Sequence, residues 1–386
     1  MQMMELINKG GDRVIKSDVI IVGGGVISCA IAYNLAKRNI KVIVIEKDHI
    51  GAGASSRNGG GVRQSARDPR ELPLAIYAIK NLWPYLSKEL GVEIEYHKKG
   101  NFRLGKTPEH LKILENVVNQ GLDAGLELRL LEKDELRKLC PYISNEVVNA
   151  SYCPTDGHAN PMKTTLAFYK NALKLGTKFI TGETVKSIIL AKGKVSGVKT
   201  ETNVYEAPEV VLAAGYESKA IANTVGIDIA MRKELIEAII TEAQPQMFSE
   251  MIGTAESDFY GHQTEHGSFV FGGSTGLEPF LSDEVKTINK SITAPYICRA
   301  VLKYFPIMSS MNIIRTWSGF MDIMADKVPV LSKVKEVPGL TLACGFSGHG
   351  FGISPAVGQL ISELIINGKP SISLDAFRYD RLKPKG

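Results

Sequence analysis

Residues 19–36, VIIVGGGVISCAIAYNLA, constrain the fold of this chain more than any other stretch. A β-branched run meets three consecutive glycines, and apolar residues then recur with helical spacing at Ile27, Ala30, Ile31, Leu35 and Ala36. A second β-branched run, 41–46, follows. Strand, glycine turn, helix and strand make a βαβ unit of about 30 residues. Gly23 permits the tight turn after the strand. Gly25 lets backbone approach a pyrophosphate seated on the helix N-terminus. The third glycine of the G-x-G-x-x-G pattern is replaced by Ser28, still small enough for close helix–strand packing. Glu46 ends the second strand, where a carboxylate accepts hydrogen bonds from ribose hydroxyls and repels a 2′-phosphate. The unit predicts a bound dinucleotide, NAD or FAD rather than NADP. The alternative is a purely structural βαβ unit, which needs no acid in register with the turn.

With 386 residues the chain is long enough for two domains. No charge falls between Asp18 and Lys37, but three glycines and Asn34 inside that span favour strand and helix over a membrane crossing. The N-terminus, MQMMELINKGGDRVIKS, lacks the apolar core of a signal peptide. The net charge of +5 is scattered, which argues against a nucleic-acid partner and suits anionic cofactors or acidic substrates. The five cysteines are far apart with no C-x-x-C pair. That argues against a disulfide framework, a metal site or an iron–sulfur cluster within the chain, and predicts reduced thiols in a cytoplasmic protein.

Further along, residues 51–69 form a glycine-rich loop and 71–90 read as an amphipathic helix. A helix–strand region over 162–201 leads to VVLAAG at 210–215. Strand-like alternation appears at 239–242 and 267–273, and a helix near 294–304. A buried strand then meets the glycine-rich turn 345–352, and the last helix is expected to begin near Ser354-Pro355 and to stop at Asn367-Gly368.

Six blocks, in order from Val19 to about Leu364, resemble the D-amino-acid-oxidase superfamily of FAD-dependent amine oxidoreductases. They are the βαβ unit, SSRNGGG at 55–61, GHANP at 157–161, VVLAAG at 210–215, RTWSG at 315–319 and GFSGHGFGISPAVG at 345–358. The resemblance implies an α/β, two-domain flavoprotein. A discontinuous Rossmann-like FAD domain would come from 17–95, 146–226 and 315–386, and a mixed-sheet substrate domain from 96–145 and 227–314. It assigns non-covalent FAD to Gly23, Gly25, Val26, Ile27, Glu46, Lys47, Ser55, Ser56, Arg57, Asn58, Gly60, Val185, Ala214, Gly215 and Gly319. In the C-terminal turn it adds Gly348, His349, Gly350, Phe351, Gly352 and Ile353. Backbone N–H groups of that turn would face the flavin edge where negative charge builds on reduction.

Within the superfamily the chain resembles the β subunits of heteromeric sarcosine oxidase, L-proline dehydrogenase and D-hydroxyproline dehydrogenase. That branch implies oxidation of a small amine or amino acid of sarcosine, proline or hydroxyproline type. Hydride would pass to flavin N5 and leave an imine. Partner flavoprotein and [2Fe–2S] subunits would be expected, with FMN shared between subunits. Two alternatives stay open: an FAD-bearing subunit active only in a hetero-oligomer, or a stand-alone glycine or D-amino-acid oxidase. Phe320, Met321 and Asp322 stand where the latter enzymes hold a carboxylate-binding arginine, and Gly352 stands where monomeric sarcosine oxidase has lysine. Arg63 is the candidate replacement, a structural or phosphate contact being its other reading. His262 could reach substrate or be structural, His349 should touch flavin, Trp317 should pack near flavin or in the core, and Lys327 reads as a surface charge. Pro161 occupies the place of the histidine that carries covalent FMN, so no covalent flavin is expected there.

Overall fold

The computed structural model describes residues 14–273 and 293–382. The N-terminal reading over 1–13 and the 274–292 part of the expected substrate region lie outside them. A six-stranded sheet runs in the order Val330–Lys333, Leu340–Cys344, Glu209–Leu212, Val19–Val22, Val42–Glu46, Lys178–Thr181. All its pairings are parallel except that of Val330–Lys333 with Leu340–Cys344. Its inner strands are almost wholly apolar, Thr341 and the terminal Glu46 and Glu209 apart, because both faces are covered, as parallel sheets require. The helix Val26–Ala36 lies on one face, crossed by the C-terminal helix Gly350–Asn367. Gly358 meets Ala30 at that crossing; a Cβ there would come within 2.8 Å of the Ala30 backbone.

The other face carries a four-stranded sheet formed by Val14–Lys16, Val204–Glu206, Lys194–Thr200 and Val185–Ala191. Val185 is buried there with Val22, Ile45 and Leu212. Among the described residues there are also an eight-stranded mixed sheet and a short antiparallel pair, Gly61–Val62 with Gly157–His158. The order of the eight-stranded sheet is Ile313–Met324, Met231–Ala243, Ser268–Gly273, Tyr260–Gln263, Met251–Thr254, Asn101–Gly105, Asn149–Cys153, Arg129–Glu132. Asn149–Cys153 and Ile313–Met324 thus join this sheet, although both lie largely in stretches that sequence assigns to the FAD region. Antiparallel pairing draws both in, Asn149–Cys153 with Asn101–Gly105 and Ile313–Met324 with Met231–Ala243.

The expected helix at 71–90 is continuous through Leu72–Tyr77, a single π turn at Ala78–Leu82 and Trp83–Leu90. The C-terminal helix begins at Gly350, four residues before the expected start, with Pro355 inside its first turns. Pro355 is the sixth residue of the helix and cannot donate to the Phe351 carbonyl four residues back; the Ser354 hydroxyl donates to that carbonyl instead, at 2.8 Å. All five cysteines are free. Among the described residues no helix is long and apolar enough to cross a membrane.

Candidate active site

The glycine turn after Val19–Val22 is shaped as the motif demands. Gly23 has φ +107°, and a Cβ on it would come within 2.5 Å of the Ala213 carbonyl oxygen. Gly25 caps the helix Val26–Ala36 without a side-chain cap bond, so the N-terminus of that helix is left to backbone donors. Gly24 N donates to Glu46 Oε2 at 2.5 Å and Val26 N to Ser55 Oγ at 2.8 Å. Val26 and Ile27 are both buried at this turn. Ser28 does more than fit: its hydroxyl donates to the Ala213 carbonyl at 3.2 Å, tying the first helix to the strand Glu209–Leu212. Gly215 follows with φ +57° and open space around it, one residue after Ala214, whose N–H donates to Ser218 Oγ. Lys47 turns outward to Glu217, 3.0 Å away on the surface.

The loop after this unit is folded by its own polar groups. Asn58 donates to the Ala54 and Ser55 carbonyls and accepts from Gly60 N. Ser56 donates to the Gly53 carbonyl at 3.4 Å. Arg57 donates to the Ser318 carbonyl at 3.0 Å, and the Trp317 indole donates back to the Arg57 carbonyl at 2.9 Å. Gly319 is required beneath this loop, since a Cβ would meet the Arg57 side chain at 3.0 Å. Trp317 is therefore pinned under residue 57 and does not line the cavity described next. Trp317, Gly319, Met321 and Ile323 share one face of their strand, but Arg57 covers the Trp317 end, so only Met321 and Ile323 reach the cavity.

That cavity, about 620 Å³, lies between the C-terminal turn and the large sheet. Met321 and Ile323 from the sheet and Ser347 and His349 from the turn line one end, with Arg63 and Arg67 between them. Asp322, one residue from Met321, points the opposite way and fixes the turn. Its carboxylate accepts from Gly345 N at 2.7 Å, and its carbonyl from Ser347 N at 3.0 Å. Burial pushes the Asp322 carboxyl up to about 6, against the backbone donors that favour its ionised form. Met321 rests on Gly348, where a Cβ would lie 2.8 Å from its sulfur. Phe351 packs against Trp83, whose indole donates to the Gly352 carbonyl at 2.8 Å, and Ile353 is fully buried beside them.

Behind the turn sits a feature that sequence inspection did not single out. Arg67 donates to Glu71 Oε2 at 2.7 Å, to the Arg63 carbonyl at 2.7 Å and to the His349 carbonyl at 3.0 Å. Both members of the pair are buried. Burial would raise the Glu71 carboxyl, but His349 and Arg67 outweigh it and hold it below the usual range. His349 Nδ1 stands 3.7 Å from Glu71 Oε2, and burial with the Arg63 and Arg67 charges lowers its basicity. Both residues precede the helix Leu72–Tyr77, so no helical spacing marks the pair and only the fold brings it together.

Arg63 donates to the Ser65 carbonyl at 3.0 Å and makes no ion pair among the described residues. Burial, then Arg103 and Arg67, lower its guanidinium to about 10, so it stays charged at neutral pH. Its loop is held by Asp156, which accepts from Gln64 N at 2.7 Å and from the Ser65 hydroxyl. His262 does not line the cavity. Its ring stacks on His158 with centroids 4.0 Å apart, and His97 lies 5.2 Å beyond. Lys327 is exposed at the cavity rim.

These residues fit an FAD: a glycine turn opening a helix whose cap residue, Gly25, makes no side-chain cap bond, with Glu46 beside it, and a second glycine turn whose neighbours leave orphaned buried atoms at His349 Nδ1, Glu71 Oε1 and Gln64 Oε1. Comparison with known proteins agrees. The family model for FAD dependent oxidoreductases (DAO) matches residues 18–364. Sarcosine oxidase subunit beta of Arthrobacter sp. is 25% identical over 374 residues, covering 95% of this chain and 91% of its own length. The crystal structure of L-proline dehydrogenase from P. horikoshii superposes with a TM-score of 0.87 at 28% identity, covering 95% of this chain and 98% of that one. Glycine oxidase from Geobacillus kaustophilus shares the fold, with a TM-score of 0.87 at 23% identity over 95% of this chain and 99% of its own.

Proposed function

This chain belongs to the family of FAD-dependent oxidoreductases, and within it we propose that it oxidises an amino acid or secondary amine whose carboxylate is held by Arg63. The carrying observation is Arg63 itself: charged, without an ion pair among the described residues, and open to a cavity beside the C-terminal turn. A carboxylate there would form a charge-assisted, bidentate pair. The same positive field disfavours an ammonium, so a bound amine is favoured in its neutral form, the one that can give up hydride. Met321 and Ile323 exclude water from one wall, and Arg67 with Asp322 fix the loop and turn that frame the site. Bound FAD supplies the two-electron acceptor. The test is anaerobic mixing of the FAD-loaded protein with sarcosine, L-proline, D-proline and hydroxyproline while flavin absorbance is followed. Bleaching by one of them is expected; bleaching by no amine or amino acid overturns the reading.

A second reading is that the chain works as the β subunit of a hetero-oligomer, supported by its similarity to a sarcosine oxidase β subunit over nearly the whole length of both. Full turnover of the purified chain with a dye acceptor would exclude a required partner. We keep the two-domain division as part of the proposal, with Asn149–Cys153 and Ile313–Met324 moved to the substrate region. A cytoplasmic location is kept on the free thiols.

A further inference from the structure

We propose that the cavity recognises an amine bearing two carboxylates, Arg63 holding one and Arg103 the other. The inference rests on the oxidation reading above and narrows its substrate class. Arg103 lies on the strand Asn101–Gly105, two residues after Asn101 and on the same face. Asn101 Nδ2 donates to Ser65 Oγ at 3.0 Å, and Arg63 donates to the carbonyl of that same Ser65. One contact therefore brings the loop arginine and the sheet arginine to the same wall.

Arg103 donates to Ser257 Oγ at 3.2 Å and makes no ion pair among the described residues. Every carboxylate lining the cavity is already engaged. Glu71 pairs with Arg67, Asp68 with Arg70, Glu234 with Arg232, and Asp326 with Arg70 and Arg381. Two half-buried guanidiniums are left facing the same space. Asp156 offsets part of both charges from behind the wall but pairs with neither, and cations short of a direct partner in a partly desolvated site are costly, so an anion on each relieves the cost.

The experiment compares two thioethers that cannot be oxidised as amines: thiodiacetate, with two carboxylates, and methylthioacetate, with one. Binding to the FAD-loaded protein is followed by calorimetry. Thiodiacetate should bind at least about tenfold more tightly, as expected for an added charge-assisted pair. Arg103→Met should bring that ratio close to one, Arg103→Lys should keep part of it, and Arg63→Met should weaken both ligands. Equal binding of the two by the native protein, absence of thiodiacetate binding, or an unchanged ratio in Arg103→Met overturns the inference. Sarcosine and iminodiacetate then serve as the matched amines. Bleaching by both without preference sinks the dicarboxylate inference alone. Bleaching by neither sinks the oxidation reading, and the thioether ratio still decides the anion sites.

Discussion

The Arg67 guanidinium lies 2.9 Å from the point that a Cβ on Gly352 would occupy. The Gly61 carbonyl oxygen is 3.1 Å from that point. A side chain at 352 is thus excluded by a buried cation already in place, which accounts for glycine where a lysine anchor was looked for. Gly352→Ala should cost about 1–3 kcal/mol, because one neighbour is backbone and the other a tethered ion pair. Thermal unfolding of the FAD-loaded protein checks this, and a shift in the flavin absorbance bands should accompany it. An unchanged midpoint would mean that the turn yields freely.

Arg67 and Glu71 should behave as a coupled pair. Arg67→Ala leaves a buried carboxylate without its cation and should cost about 3–5 kcal/mol. Adding Glu71→Ala removes that orphan, so the double variant should be less damaged than the sum of the singles, though not restored, since Arg67 also holds the Arg63 and His349 carbonyls. A double-mutant cycle in urea measures the coupling. Additive losses would show that the two act independently.

Ser28 gives a sharper test of the altered fingerprint. Its bond to the Ala213 carbonyl is buried. Ser28→Ala should lower stability by about 1 kcal/mol through the loss of that bond. FAD affinity should be little changed, because the residue faces the neighbouring strand rather than the glycine turn. Urea unfolding and flavin titration separate the two effects, and a large loss of FAD with no loss of stability would contradict the assignment.

The βαβ unit was legible because its signals are local: β-branched runs, glycines and an acid in fixed register. The C-terminal glycine cluster was legible for the same reason, but only Gly345 and Gly348 take positive φ, while Gly350 and Gly352 belong to a helix expected to start later. What escaped were contacts made across long separations. Nothing local to Arg103 announces that Asn101 will meet Ser65 and bring it beside Arg63. Arg67 and Glu71 lie ahead of the helix Leu72–Tyr77 with nothing local to mark them, and only the fold shows that they sit behind the C-terminal turn. Trp317 looked like a site residue by its motif, and Arg57 covers it. His262 was weighed alone, whereas its environment is set by His158, a residue from another strand.

Asp322 should make stability fall as pH rises. Its carboxyl titrates near 6 in the fold and near 3.8 when free, so between those values the folded state holds the extra proton. The contribution is complete below about pH 4 and is lost as pH rises through 6; it amounts to about 3 kcal/mol. Asp322→Asn, which keeps an acceptor for Gly345 N, should lack this fall. Denaturation midpoints from pH 4 to 7 would show it, and parallel profiles for the two proteins would refute it.

The stacked histidines push in the other direction. Burial, and then His97, lower His262 to about 4; burial first, then His262 and His97, lower His158 further. Both are neutral in the fold at pH 6.5, where a free histidine is half protonated. Their stabilisation is complete above about 6.5 and is lost as pH falls through the folded values, because the unfolded chain then binds protons that the stack refuses. At a ring separation of 4.0 Å, charging both would also set two cations face to face. His97, which lies 3.2 Å from Glu265, adds to the repulsion on both rings rather than relieving it. His262→Phe keeps an aromatic ring in the stack and removes one titration. It should flatten the acid limb between pH 6.5 and 4 by about 3 kcal/mol. Midpoints measured across that range, for native protein and variant side by side, provide the check; an acid limb equally steep in His262→Phe would place the acid sensitivity elsewhere.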